Sequence, residues 1–564
     1  MTAALHAGET FDVVVVGAGA GGMTAATIAA ADGCSVLLLE QAEFVGGTTA
    51  ISGGMVWIPA NHKAAAEGRA DTLEAARTYL GTVPGQDRTR LETFLAFGDE
   101  ALRDLEVRTA LRLQPVPTYP DYYPDLPGAT AGGRVLEPLP FDARGLGDAF
   151  ALLRDPLPEF MLFGGMMISR QDIPHLRRAS RSLRSALHAA RLIVRYGLQR
   201  LTARRGTTLY LGNALAARLL RSALDRGVVI RTGTSVQQLE ADAQGRVSRL
   251  EIIDRSGRSW ITARRGVVLA TGGLSHDAEL RRCYVPEAAG LLSATVDPGA
   301  APRGARLAMA LGACLSAPTK AGAFWVPAST FTRADGSRGV FPHTVTDRAK
   351  PGLIAVDGTG RRFVNEAVSY HEFVRAQLDH AAAIPAWLIC DRRFLWRYGL
   401  GKIKPFTRSV ARDVAAGYLK RADSLNALAE TIGVPAQALT ATVAEFNAGA
   451  VRGEDPAFGR GGNIYQRALG DADQHPNPCV APILEPPFHA VAVYPADLGM
   501  SAGLVTDARG RVLRADGSSI PGLFACGNDM ASIMEGAYPG PGITLGPALV
   551  FGWLVGRNVA GGNV

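Results

Sequence analysis

Cysteine is scarce in this chain. Six stand in 564 residues (34, 283, 314, 390, 479 and 526), far apart and with no C-x-x-C pair. That spacing excludes a disulfide framework and a zinc site, and it suits a reducing compartment. Internal repeats and low-complexity runs are absent too, which excludes repeat arrays. One uncharged stretch, residues 13–31, is about as long as a bilayer is thick. Its glycines argue against a membrane span, and Glu9 and Asp12 stand before it where a signal peptide would be basic. A soluble, cytoplasmic protein is expected. Excess charge is also missing from most of the chain. The formal net charge is +7, yet residues 170–206 hold ten arginines against one acid, Asp172. The basic character is therefore local, and no nucleic-acid partner is expected.

What is present begins with residues 11–16, a valine-rich run that reads as a buried parallel strand. It ends in Gly17-Ala18-Gly19-Ala20-Gly21-Gly22. Gly17 permits a tight turn, Gly19 lets the backbone approach a pyrophosphate, and Gly22 lets the next helix pack close. Residues 23–31 are a good helix whose N-terminus would face phosphates. Residues 34–39 form the second strand, followed by Glu40 at the distance where a carboxylate meets a ribose. Gly46-Gly47-Thr48-Thr49 and Ser52-Gly53-Gly54 favour FAD over NAD. No histidine lies in residues 41–54, so a histidyl flavin link is not expected. The strand-to-glycine pattern returns at residues 264–273. This double arrangement resembles the glutathione-reductase-type FAD fold.

The fold class expected is α/β, a Rossmann-like FAD domain joined to a smaller α+β catalytic domain. Residues 1–285 would form the first part of the FAD domain, interrupted by a basic helical excursion at about 155–206. Residues 286–480 would form the substrate domain, and 481–564 would return to the FAD domain. Short strands are expected at 235–239, 247–253, 260–262 and 266–270. Within the excursion, Leu176, Leu183, Leu187, Ala190, Val194, Leu198 and Leu201 lie on one narrow stripe of a helix beginning near Asp172. Two readings fit it. One is a surface helix packed on the core with a solvated arginine face. The other is a helix lying on an anionic membrane surface.

The tail holds Tyr538-Pro539-Gly540-Pro541-Gly542. A phenol and an accessible glycine N–H, stiffened by prolines, would make an oxyanion clamp, and the same residues would equally make a packed turn. The chain as a whole resembles the 3-ketosteroid Δ1-dehydrogenases within the fumarate-reductase-like flavoproteins. The resemblance is carried by the 46–54 glycines and by Trp57 and Pro59. It continues through Asp121-Tyr122-Tyr123-Pro124, Arg361 to Glu366 with Tyr370, Asp497-Leu498-Gly499, and Tyr538 to Gly542.

The resemblance implies that Tyr538 and the Gly542 N–H hold a C3 ketone. Tyr370 as phenolate would remove the C2 proton, Tyr122 would ease its ionisation, and FAD would accept hydride from C1. It further implies that FAD is bound non-covalently against Gly17, Gly19, Gly21, Gly22, Glu40, Gly46, Gly47, Thr48, Thr49, Ser52, Gly53, Gly54, Val236, Ala270, Thr271, Gly272, Gly527, Asn528, Gly542, Thr544 and Leu545. Many relatives carry Asn-Thr-Gly-Asp where this chain has Ala301-Pro302-Arg303-Gly304. Phe324, Trp325 and Phe373 are expected to shape the pocket or to be core aromatics. A Δ4-(5α)-ketosteroid or other cyclic-ketone dehydrogenase is the alternative. A fumarate reductase is disfavoured, because Asn528 and Tyr538 stand where its signature acids and arginines would be. With no second nucleotide motif, the electron acceptor is expected to be a quinone or a carrier protein.

Overall fold

The computed structural model describes residues 8–562 apart from 70, 84–87, 298, 300–302, 319–321 and 346. Its first sheet has eight strands. Five run parallel in the order Ser519–Ala525, Gly257–Leu269, Thr10–Val16, Val36–Leu39 and Val229–Arg231. Val13, Val14 and Val15 are fully buried, as expected of a strand covered on both faces. The uncharged run at 13–31 therefore divides into a strand and the helix Ala20–Ala31. Among the described residues no helix is long and apolar enough to cross a membrane.

Two of the short strands expected at 260–270 are one. Gly257–Leu269 pairs antiparallel with Val247–Asp254 in its first half and parallel with Thr10–Val16 from Thr262 onward. It thus carries the chain from a small antiparallel sheet into the parallel core. The last helix, Leu545–Val559, packs along Ala20–Ala31. Glycine makes that contact possible: a Cβ on Gly552 or Gly556 would lie 2.8 Å from the carbonyl oxygen of Gly21 or Ala25.

The second sheet is antiparallel and six-stranded. Its path is Arg338–Pro342, Ala323–Thr332, Phe488–Met500, Ala386–Cys390, Leu353–Val356, with Lys420–Ala422 beside Phe488–Met500. The boundary expected at 481 is corrected by this pairing. Phe488–Met500 is a central strand here, so the chain rejoins the first sheet only beyond residue 500. Trp325 and Phe373 sit in the core of this lobe, whereas Phe324 meets the Tyr538 ring edge-on at 5.4 Å.

The basic excursion also differs from its reading. It forms two helices, Asp172–Arg178 and Leu183–Arg200, the second capped by Ser182, whose side chain accepts from Ser185 N. The leucine stripe does not face the core. Leu183, Leu187, Val194, Leu198 and Leu201 are 79, 64, 61, 63 and 80% exposed, while Ser185, Ala189 and Leu192 are buried. Several arginines are tied to neighbouring groups: Arg177 reaches the buried Asp471 at 2.9 Å, Arg178 pairs at the surface with Asp473 at 2.5 Å, and Arg195 donates to Tyr210 Oη at 3.0 Å.

A buried charge network fastens the segment around residue 121 within the first lobe. Arg134 binds Asp121 at 2.8 Å and Asp71 at 2.7 Å, and Asp121 also accepts from Trp57 Nε1 at 2.9 Å. Removing one member leaves the others charged and unpaired out of water. Arg134→Met is expected to cost about 3–5 kcal/mol of stability. A denaturant midpoint within error of wild type would contradict that placement.

Candidate active site

Both sheets contribute to one cavity of about 1940 Å³. Its inner wall is the first strand-turn-helix. Gly17 has φ +105°, and a Cβ there would lie 2.2 Å from the Ala270 carbonyl oxygen. The helix that follows takes no cap from Gly19, and its first N–H, that of Ala20, donates to Thr49 Oγ1 at 3.1 Å. Glu40 accepts from Ala18 N and Ala42 N, each at 2.9 Å, and burial raises its pKa. Asp529 welds the later glycine turns together, accepting from Thr271 N, Thr271 Oγ1 and Gly273 N. Gly304 N in turn donates to Thr271 Oγ1 at 2.9 Å.

The residues expected to hold a dinucleotide line this cavity, with two exceptions. Gly22 packs against Gly17, its would-be Cβ 1.9 Å from the Gly17 oxygen. Gly46 turns away toward Ala50 and Ala216. Both serve the shape of the wall rather than its surface. Ser52 is also committed inside the protein, donating to Thr49 O and accepting from Gly54 N. A Cβ on Gly19, Gly53, Gly272 or Gly527 would meet no atom within 4 Å. These open positions along a glycine-lined wall, ending at a helix N-terminus, fit the backbone approach an FAD pyrophosphate requires. Arg303 adds a guanidinium to the wall and donates to Gly299 O at 3.2 Å. Ala301 and Pro302 lie outside the described residues.

Beyond this wall the cavity opens onto a cluster of phenols drawn from distant parts of the chain. Tyr122 Oη donates to Tyr370 Oη at 2.9 Å. The Tyr538 ring stacks on Tyr122 at 5.4 Å and meets Tyr370 edge-on at 5.2 Å. All three are buried. Tyr370 is the first residue of the helix Tyr370–Asp379, capped by Ser369, so it stands at the positive end of the helix dipole. Tyr123, next to Tyr122, donates to Glu372 of the same helix at 2.8 Å.

The loop carrying Tyr538 is fixed through Pro539, whose carbonyl accepts from Tyr122 N at 2.9 Å and Tyr79 Oη at 2.6 Å. Gly542 closes the loop at φ +101°. A Cβ there would come within 2.6 Å of the Met55 backbone, so only glycine fits. Its N–H meets no backbone acceptor among the described residues.

The motif before Tyr370 is scaffold. Glu366 is gripped by Arg362 at 2.7 Å and Arg460 at 3.0 Å, and Arg362 also holds Asp455. Arg348, wholly buried, donates to Glu366 O at 2.9 Å and Val368 O at 3.2 Å, tying down the strap that ends at Tyr370. Asp497 pairs with Arg281 at 2.5 Å, both fully buried, and joins the lobes rather than the cavity.

Burial pushes Tyr370 well above a phenol's ordinary pKa, and the Tyr122 hydroxyl opposes that rise. Tyr538 is pushed up to about 12, again by burial first. Two aromatic neighbours of this cluster carry no signal in the sequence. Tyr119 lines the cavity under the Arg170 guanidinium, which lies 4.8 Å from its ring centre. Tyr465 packs behind Tyr122 at 4.9 Å from a helix more than 300 residues away.

Comparison with known proteins follows the same outline. A family model described as an FAD binding domain matches residues 12–545. The chain is 38% identical to 4-oxocyclohex-2-ene-1-carboxylate 5-dehydrogenase of Sinomonas cyclohexanicum, over 97% of this chain and 93% of that one. It is 37% identical to 3-oxosteroid 1-dehydrogenase of Mycobacterium tuberculosis, over 98% of each. A solved 3-ketosteroid Δ1-dehydrogenase from Sterolibacterium denitrificans, in complex with 1,4-androstadiene-3,17-dione, superposes with a TM-score of 0.90 at 36% identity. That match covers 98% of this chain and 100% of the other.

The open position at Gly19 gives a direct test of the glycine wall. Its backbone is extended, so Gly19→Val introduces bulk without strain. The variant should keep its far-UV dichroism and retain less than about a tenth of the flavin per chain, a change of about 1.4 kcal/mol or more in binding. Full flavin content would contradict the wall's assignment.

Proposed function

This chain belongs to the FAD binding domain family, and from that premise we propose that it removes hydrogen from C1 and C2 of a 3-keto-4-ene steroid. The product would be the 1,4-diene-3-one. FAD is the cofactor, and when bound it supplies the acceptor for the hydrogen that leaves C1 as hydride. The observation that carries the reading is the Tyr122–Tyr370–Tyr538 cluster opening onto the glycine-lined cavity.

In this reading the Tyr538 hydroxyl and the Gly542 N–H hold the substrate carbonyl and favour its enolate. Tyr370 takes the proton from C2. Tyr122 donates to the Tyr370 oxygen and so favours its phenolate, helped by the helix N-terminus on which Tyr370 stands. The apolar aromatic surround excludes water from the carbanion. A second reading is favoured by the 38% identity to a dehydrogenase of a small cyclic keto acid, and would have the same residues act on a cyclohexanone ring.

We propose further that the protein is cytoplasmic and rests on the inner face of a membrane through residues 170–206. The outward leucine stripe on Leu183–Arg200 supports this, together with the arginines around it. An apolar substrate would then enter from lipid, and electrons would leave to a quinone or a carrier protein.

Androst-4-ene-3,17-dione, mixed anaerobically with the protein, should bleach the flavin and yield the 1,4-diene. Tyr370→Phe should keep FAD and lose about 10²–10⁴-fold in bleaching rate. Because the base must be ionised and burial raises its pKa, wild-type rate should climb with pH. Tyr122→Phe should move that climb to higher pH. A flat profile in both would remove Tyr370 from the role of base. Vesicles containing anionic lipid should retain the protein at low salt, and Leu187→Glu with Leu198→Glu should release it. Equal retention of the double variant would dismiss the stripe as the contact.

A further inference from the structure

The cavity that holds the phenols continues to a group of cations with too little acid to balance them. Lys350, Arg177 and Arg397 line it around one carboxylate, Asp471. Asp471 is 5% exposed and accepts from Arg177 at 2.9 Å, Arg397 at 2.7 Å and Tyr398 Oη at 2.7 Å. Lys350 Nζ donates to the carbonyls of Leu469 and Gly470 at 2.6 and 2.7 Å and so stands beside the same acid. The neighbouring acids are already taken. Asp347 is held by His343 Nδ1 at 2.6 Å, and Asp473 by Arg178 at 2.5 Å.

Two arginines therefore share one carboxylate, and Lys350 beside them has no ion pair among the described residues. Burial, and then the nearby Arg177, push the Lys350 ammonium down to about 8. An incoming anion would relieve that imbalance. The group is also placed to meet a substrate. The helix Ile464–Leu469 begins beside the phenols with Tyr465 and delivers its chain to Asp471. The cluster and the phenols Tyr122, Tyr370 and Tyr538 line one cavity, so a ketone held by its carbonyl at Tyr538 extends into space that these cations share.

We infer that Lys350, Arg177 and Arg397 form a subsite for a carboxylate at the far end of the substrate, so that the ketone this protein prefers is a keto acid. This rests on the dehydrogenation proposed above and narrows its substrate class. The ion pairs from Arg177 and Arg178 also fasten the helix Asp172–Arg178 to the second lobe. That fastening needs one arginine per acid. It does not call for a third cation at Asp471.

The test compares 3-oxoandrost-4-ene-17β-carboxylic acid with its methyl ester, by anaerobic flavin bleaching and by kcat/KM. The acid should be favoured by about tenfold or more, the effect of one charge-assisted hydrogen bond, chiefly through KM. Lys350→Met should collapse the acid-to-ester ratio, and Lys350→Arg should restore it. If both compounds bleach the flavin equally well, the subsite is wrong and the dehydrogenation stands. If neither compound nor androst-4-ene-3,17-dione bleaches it, both readings fall. Should Lys350→Met fail to fold, the acid-to-ester ratio of the wild-type protein decides the matter alone.

Discussion

A phenol that is to accept a proton from carbon must first lose its own, and burial makes that loss harder. The site around Tyr370 is organised by this constraint. Exposure to water would lower the cost of the phenolate and would also quench the enolate it creates. The chain keeps the apolar surround and offsets the cost locally, with one donor from Tyr122 and one helix N-terminus. The Tyr538–Gly542 clamp acts on the other side of the same balance, by making the carbon more acidic.

Such a balance tolerates little movement, which accounts for the heavy scaffolding of short loops. Pro539 presents one carbonyl to two donors, and Gly542 is wedged against Met55 and Trp57. The strap before Tyr370 is held by three arginines, Arg348, Arg362 and Arg460. None of these arginines lines the cavity. Their work is to hold backbone, each satisfying carbonyls or carboxylates that would otherwise be buried unpaired.

The dinucleotide wall was legible in the sequence because its logic is local. Strand, glycine turn, helix and acid follow one another within 30 residues, and each glycine has a steric reason that spacing reveals. Even so, Gly46 shapes the wall from behind, a distinction that needs three dimensions, whereas the packing role of Gly22 follows from its place in the turn. The phenol cluster was legible only through family resemblance, since residues 122, 370 and 538 share no spacing. Tyr465 and Tyr119 stayed hidden for the same reason. The leucine stripe was correctly placed on one helical face, but periodicity does not say which face meets the core. Small residues, Ser185 and Ala189, were buried instead. Residues 488–500 fell on the FAD side of the boundary expected at 481, because an apolar run does not name the sheet it joins.

The pairing of Ser519–Ala525 with Gly257–Leu269, and of the last helix with the first, also orders events during synthesis. The parallel core stays open on one side until some 500 residues have left the ribosome. The antiparallel sheet waits almost as long, because its central strand, Phe488–Met500, is also made late. The half-built FAD half must meanwhile leave Gly257–Leu269 unpaired at one edge, where it invites association with other chains. Production at low temperature with ample flavin, which engages the wall as soon as it closes, is the condition under which this chain should accumulate in folded form.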